Sequence, residues 1–220
     1  TLNVLVSPAS GATLTMSRGT KFTTTVNSQS YSFVNNADVS ITPVSGVYQF
    51  NNLVVTEGSY LNFKYTANTS DIDQRFIIPN DSVDTTTLSV KVQESSSDST
   101  TKTYKLATGV VSIDSASEVY FLQEVEGGRF EVYFGDGVLG KAVADGNIVI
   151  LDYINTNRDA PNGATSFTLS GTVGGFSSAT VTTISNAAGG TGLESISSIK
   201  YNAPRDYSAQ DRAVTAEDYK

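Results

Sequence analysis

The chain has 220 residues, 14 basic and 22 acidic, for a net charge of −8, and it contains neither cysteine nor histidine. An acidic chain without a clustered Lys/Arg stripe repels phosphate backbones, so nucleic acid is not an expected partner. The missing residues remove disulfide frameworks, thiolate metal sites, the commonest general base and the usual catalytic triads.

The length allows one or two domains with a real core. No apolar run approaches the ~20 residues that span a bilayer and no signal-peptide pattern opens the sequence, so no membrane contact is expected. Residues 2–65 are rich in Thr, Ser, Val and Asn, with alternating runs at 20–26, 39–41, 53–55 and 61–65. Turn clusters divide them at Ser7-Pro8-Ala9-Ser10-Gly11, Asn35-Asn36, Pro43-Val44-Ser45-Gly46 and Glu57-Gly58-Ser59. Short strands with turns every ten or so residues predict a small sandwich or barrel-like module over 1–66.

A strand at 75–78 is stopped by Pro79, Asn80-Asp81-Ser82 is a turn, and 87–92 alternates cleanly. The polar stretch 94–101, ESSSDSTT, buries nothing and reads as the loop of a long hairpin, because a strand pattern resumes at Thr103.

Strands are predicted at 119–122 and 130–134, joined through Glu126-Gly127-Gly128. Phe130, Val132 and Phe134 alternate with Glu131 and Tyr133, the period-two pattern of a half-buried strand. Gly135-Asp136-Gly137 supplies a turn, and 148–154 is an apolar run expected to be covered on both faces. The three strands are read as an antiparallel meander.

After the polar loop 155–163, strands at 167–169 and 180–184 suggest a hairpin inserted around 164–188. Thr191 and Glu194 stand in capping-box register ahead of Leu193, Ile196, Ile199 and Lys200, predicting a helix that Ala203-Pro204 ends. Thr215-Ala216-Glu217-Asp218 resembles the cap of a second helix truncated at Lys220, which suggests a fragment. The expected fold is mainly β (α+β): a β-rich module over 1–66, then a meander domain over 67–220 with a hairpin insertion and a helical tail from 191.

Chemistry-bearing motifs are sparse. Gly135 to Gly140 lacks the helix and the Lys-Ser/Thr pair of a phosphate loop, and Lys141 stands without that partner. Asp136, Asp145, Asp152 and Asp159 do not form a calcium-binding loop, so no metal or other cofactor is expected. Glu118, Glu124, Glu126 and Glu131 could supply a glycosidase with two acids, but solvated strand faces account for them, and no Trp is present to stack a sugar. Asn68-Thr69-Ser70 and Asn80-Asp81-Ser82 match the glycosylation pattern by composition alone. No enzyme is expected.

Three features together carry a resemblance: residues 130–140 (FEVYFGDGVLG), Ile150 to Tyr153 followed by Asn162-Gly163, and the run from Gly189-Gly190-Thr191-Gly192 through Ala203-Pro204 to Asp211-Arg212 and Tyr219. With residues 76–92 they resemble the Baseplate J-like family of contractile-tail phages, which includes the gene-product-six-like wedge proteins of T-even phages. The resemblance implies a structural virion protein of the tail baseplate, present in host cytoplasm during assembly. It implies copies that pair and close into an inner ring, join wedges around the hub and relay the trigger for sheath contraction, with other wedge and tail proteins as partners. Arg205, Asp206, Asp211 and Arg212 are then expected near a subunit boundary, or alternatively as an intrachain brace around Pro204. A receptor- or glycan-binding β module of a tail fibre or adhesin is the alternative function.

Overall fold

The computed structural model describes residues 1–109 and 112–209. Eight strands precede residue 67: β1 (Leu2–Val6), β2 (Leu14–Met16), β3 (Lys21–Val26), β4 (Gln29–Asn35), β5 (Val39–Ile41), β6 (Tyr48–Leu53), β7 (Val55–Glu57) and β8 (Ser59–Thr66). Six follow before the polar loop: β9 (Phe76–Ile77), β10 (Val83–Gln93), β11 (Thr101–Leu106), β12 (Val119–Val125), β13 (Arg129–Phe134) and β14 (Ile148–Asn155). Then come β15 (Thr168–Ser170), β16 (Thr180–Thr183) and the helix α1 (Ile196–Ala209). The fold is mainly β, as the alternation in the sequence requires. No helix among the described residues is long and apolar enough to cross a membrane.

Two cores organise the strands. The first is enclosed by the sheets β16-β1-β6 and β15-β3-β4-β7 and the ribbon β2-β5. Alternate residues of β1 (Leu2, Val4, Val6) meet Phe22, Phe33, Tyr48 and Phe50 there, all buried. Burying a side chain of this size contributes about 1.5–3 kcal/mol, which offsets the ordering of short strands that would not hold alone. The Tyr48 hydroxyl escapes this apolar interior by donating to the Gly11 carbonyl (2.6 Å) while accepting from the Gly11 N–H (2.9 Å).

The second core lies under one seven-stranded sheet ordered β8-β14-β10-β11-β12-β13-β9. Its interior carries a chain of edge-to-face rings, Tyr65 to Phe76 to Phe134 to Tyr104, with centroids 5.3–5.6 Å apart. The sheet curls enough for its two edge strands to meet, since the Tyr65 hydroxyl on β8 donates to the Ile77 carbonyl on β9. The polar stretch near residue 97 is the loop between β10 and β11, which pair antiparallel from Val90 with Tyr104 to Gln93 with Thr101.

Five expectations change. β12 and β13 pair as a hairpin, but β14 does not continue a meander. It lies on the far side of the sheet between β8 and β10, where six consecutive residues, Val149 to Ile154, are buried. An apolar run needs neighbours on both edges and cover on both faces, which a place beside β13 at the sheet margin would not provide.

β8 belongs to the second sheet, pairing with β14 from Ser59–Asn155 to Thr66–Ile148, although it lies inside the 1–66 stretch. The segment expected as an insertion at 164–188 joins the first core: β15 pairs with β3 and β16 with β1. Ala164, Phe167 and Val173 are buried there, which fixes the attachment by apolar burial.

The helix starts at Ile196, later than the capping-box register implies. Ser195 is the cap, its Oγ accepting the Ser198 N–H at 3.2 Å. Residues 189–190 are instead held against the 158–162 loop, where the Asn162 amide donates to the Gly190 carbonyl (2.8 Å) and accepts its N–H (3.2 Å). The helix also runs through Pro204 to Ala209. Proline removes one hydrogen bond, and here Tyr201 and Arg205, four residues apart, stack across that turn at 3.9 Å.

Candidate assembly surfaces

The junction between the two cores is built from residues that the chain brings together across long separations. Glu57 is buried at the end of β7, and its carboxylate accepts the Asn157 backbone N–H at 2.8 Å and the Asn157 side-chain amide at 2.7 Å. Gly58 follows at φ +125°, and a Cβ there would lie 2.4 Å from the Asn155 carbonyl oxygen. Only glycine allows the two connections to pass this closely.

Beside it, Asp152 on β14 is buried at 3% exposure and accepts from the Asn62 amide (2.6 Å) and the Lys91 ammonium (3.2 Å). Burial pushes the Asp152 carboxyl up, but hydrogen bonds from Asn62, Tyr60 and Lys91 outweigh it and hold the group below the usual carboxylate range. Tyr60 is pushed up to about 12, by burial first and then by its bond to Asp152. The Arg18 guanidinium from the first core stacks over the Tyr60 ring at 4.6 Å, so the cluster spans both units.

A crevice of about 810 Å³ opens at the same junction, between β7 and the start of β10 and under residues 185–193. On the outer face of the second sheet, Arg75 makes a bidentate ion pair with Glu131, which also accepts from the Gln123 amide at 2.9 Å. Arg75 thereby holds the Glu131 carboxyl below its ordinary range. Glu131 is therefore not on a solvated strand face: it is buried, and its charge is matched. Next to it Phe121 and Tyr133 stack at 5.1 Å with a 16° interplanar angle.

The Gly135 to Gly140 segment is a compact excursion, not a two-residue hairpin. The Asp136 carboxylate accepts the N–H groups of Val138 and Leu139, both at 2.9 Å, and lies below its ordinary pKa range on account of these bonds. A Cβ on Gly135 would stand 2.3 Å from the Gly140 backbone. The loop is anchored to residues 114–117, where Gly140 donates to the Asp114 carbonyl and Lys141 to the Ser117 carbonyl. Val138 and Leu139 are left exposed at its tip.

Of the residues expected at a subunit boundary, Arg205 and Asp206 lie in the last turns of α1, and Arg205 stacks on Tyr201 of its own helix. Asp211 and Arg212 lie outside the described residues, as does the second capping box. Along α1 and just before it, Leu193, Ile196, Ile199 and Tyr207 are all exposed, so this segment presents apolar side chains outward. The four aspartates considered for calcium stand in separate settings: Asp136 closes its own loop, Asp145 accepts the Thr69 N–H, Asp152 pairs with Lys91, and Asp159 turns the 158–162 loop.

Residues 62–162 match the family model of bacteriophage baseplate wedge protein gp6, third domain. The chain carries a gp6-like baseplate wedge domain over that stretch. No curated protein matches it. The matched wedge domain begins within β8 and takes in the whole seven-stranded sheet except the first residues of that strand. It includes the Asp152 cluster, the Arg75–Glu131 pair and the Asp136 loop, and it stops before β15, β16 and α1. The wedge domain supports a structural role in the phage tail baseplate. The junction residues Glu57, Tyr60 and Asn157 were not legible as a site beforehand, because nothing local in Glu57-Gly58-Ser59 reveals its partner 100 residues away.

Proposed function

We propose that the protein is a wedge component whose copies pair and close into the inner ring of the baseplate, joining wedges around the hub and relaying the trigger for sheath contraction. The wedge-domain match over residues 62–162 carries this reading. In it the chain works by being gripped and moved, without bond-breaking chemistry, and assembles in the host cytoplasm before entering the virion. Its partners are other copies of itself and other wedge and tail proteins.

The chain divides into two mechanical units in this proposal: a β module of residues 1–57 with 164–187, and the wedge domain from β8 to β14. Separate cores support the division. A relay needs units stiff enough to transmit force, and the buried Glu57 bonds to Asn157 and the stacking of Arg18 on Tyr60 join the two where the chain crosses between them. The C-terminal stretch of sequence with Arg205, Asp206, Asp211 and Arg212 lies near a subunit boundary, which the exposed Leu193, Ile196 and Ile199 support.

Sizing the purified chain by light scattering, alone and mixed with the neighbouring tail proteins, tests the proposal. Self-association or a stable complex is the expected result, together with silence on a glycan array. A monomer that binds none of those proteins but retains glycans would overturn it.

A further inference from the structure

We propose that the crevice at the junction receives an extended, basic segment of a partner protein, which adds as a strand to the edge of β7. β7 closes the sheet β15-β3-β4-β7, so one side of it pairs with β4 and the other faces the crevice. An edge strand directs the N–H and C=O groups of every second residue outward, where an incoming extended chain can take them up. Across the crevice the first residues of β10, Val83 and Asp84, pair with β14, while the pairing of β10 with β11 begins only at Val90. The two walls are therefore backbone edges from different units.

The floor is apolar, formed by Phe33, Val55, Val83 and Phe130, and suits the alternate side chains of a strand. The charged side chains around it are four carboxylates, Glu57, Asp81, Asp84 and Glu124, against the single guanidinium of Arg158. That guanidinium is turned to the Asp81 carbonyl and the Thr1 ammonium to the Ser185 hydroxyl, and four carboxylates against these two cations leave the field of the crevice negative. Complementarity then selects Lys or Arg on the occupant and rejects an acidic segment. A volume of about 810 Å³ lies within the range of sites that enclose a ligand of several residues. An occupant held by both walls would bind best at one separation of the two units, so this surface couples partner binding to their relative placement.

The test is fluorescence anisotropy of a labelled decapeptide of alternating Val and Lys, titrated with the full chain. Saturable binding is expected, with none for an alternating Val and Glu peptide, and with loss when every second amide is N-methylated in either register. Glu124→Lys and Asp81→Lys should each weaken binding about fivefold or more. Asp98→Lys, the same charge change on the loop between β10 and β11, should leave it unchanged, with thermal unfolding confirming that each variant is folded. If Asp98→Lys weakens binding as much as the crevice variants, the attraction is to net charge and the inference falls. It falls equally if acidic or N-methylated peptides bind as well, or if no peptide binds, in which case the carboxylates only guard the strand edge. None of these results bears on the baseplate role, which the mixing experiment decides separately.

Discussion

Glu57 and Asn157 lie 100 residues apart in the chain and meet at the junction of the two cores, one buried carboxylate taking both the backbone N–H and the side-chain amide of one asparagine. The pair joins the end of β7 to the loop after β14, where the chain leaves the first unit and later returns to it. Truncating Glu57 leaves two donors without their acceptor. Glu57→Ala is expected to cost about 2 kcal/mol, measured by urea unfolding, with Glu57→Gln costing less because it keeps one acceptor oxygen.

Gly58 sets a stricter limit. Its φ of +125° is costly for any residue with a Cβ, and that carbon would press on the Asn155 carbonyl oxygen from 2.4 Å. Gly58→Ala should destabilise by about 3 kcal/mol or more, while Gly46→Ala, at φ +77° with open space around it, should cost clearly less. Similar midpoints for the two variants would contradict the close passage of the chain at the junction.

The Asp152 cluster predicts a pH dependence at both ends of the scale. Asp152 has its folded pKa lowered, so its contribution is present at neutral pH and is lost as pH falls from about 4 through the folded value. Asp152→Asn should lose about 2 kcal/mol at pH 7, and its deficit against the parent should shrink below about pH 4. Tyr60 runs the other way. Its folded pKa of about 12 lies above the ordinary 10.0, so stability falls as pH rises between those values. Tyr60→Phe should flatten that alkaline limb in unfolding measurements.

Pro204 interrupts the hydrogen-bond ladder of a helix that is exposed and carries much of its own stability. Pro204→Ala should raise far-UV helical signal and slow amide exchange around Lys200, the residue whose carbonyl would regain a donor. Tyr201→Ala, which removes the ring stacked against Arg205, should lower the helical signal modestly.

Chain-local patterns made the strand content readable. The alternation of Phe130, Val132 and Phe134 is visible in the sequence, and the same residues pack toward the second core. The unbroken apolar run of β14 announced cover on both faces, and its six buried residues show it. The strand β4 was not legible because the turn before it lacks the usual glycine. β3 and β4 are joined through Asn27 and Ser28 at φ 50° and 67°, a tight reversal without an Asn-Gly pair. Among charged residues, nothing near Glu131 in the sequence distinguishes it from an exposed strand acid. Its burial follows from Arg75, 56 residues earlier, reaching it across the β9–β13 pair.

By itself, then, the sequence determined that the chain would be β-rich and poor in catalytic side chains, and its motifs between residues 76 and 219 resembled those of a baseplate wedge protein. Side-chain alternation, turn residues and missing histidine are local facts, readable without knowing any partner. Only the tertiary structure decided that β14 sits between β8 and β10, that residues 164–187 return to the first core, that Glu57 meets Asn157 and that Tyr60 meets Asp152. Those choices depend on which strand edges and apolar faces remain uncovered once the others have paired, a competition among residues some 60 to 180 positions apart that no single stretch of chain records.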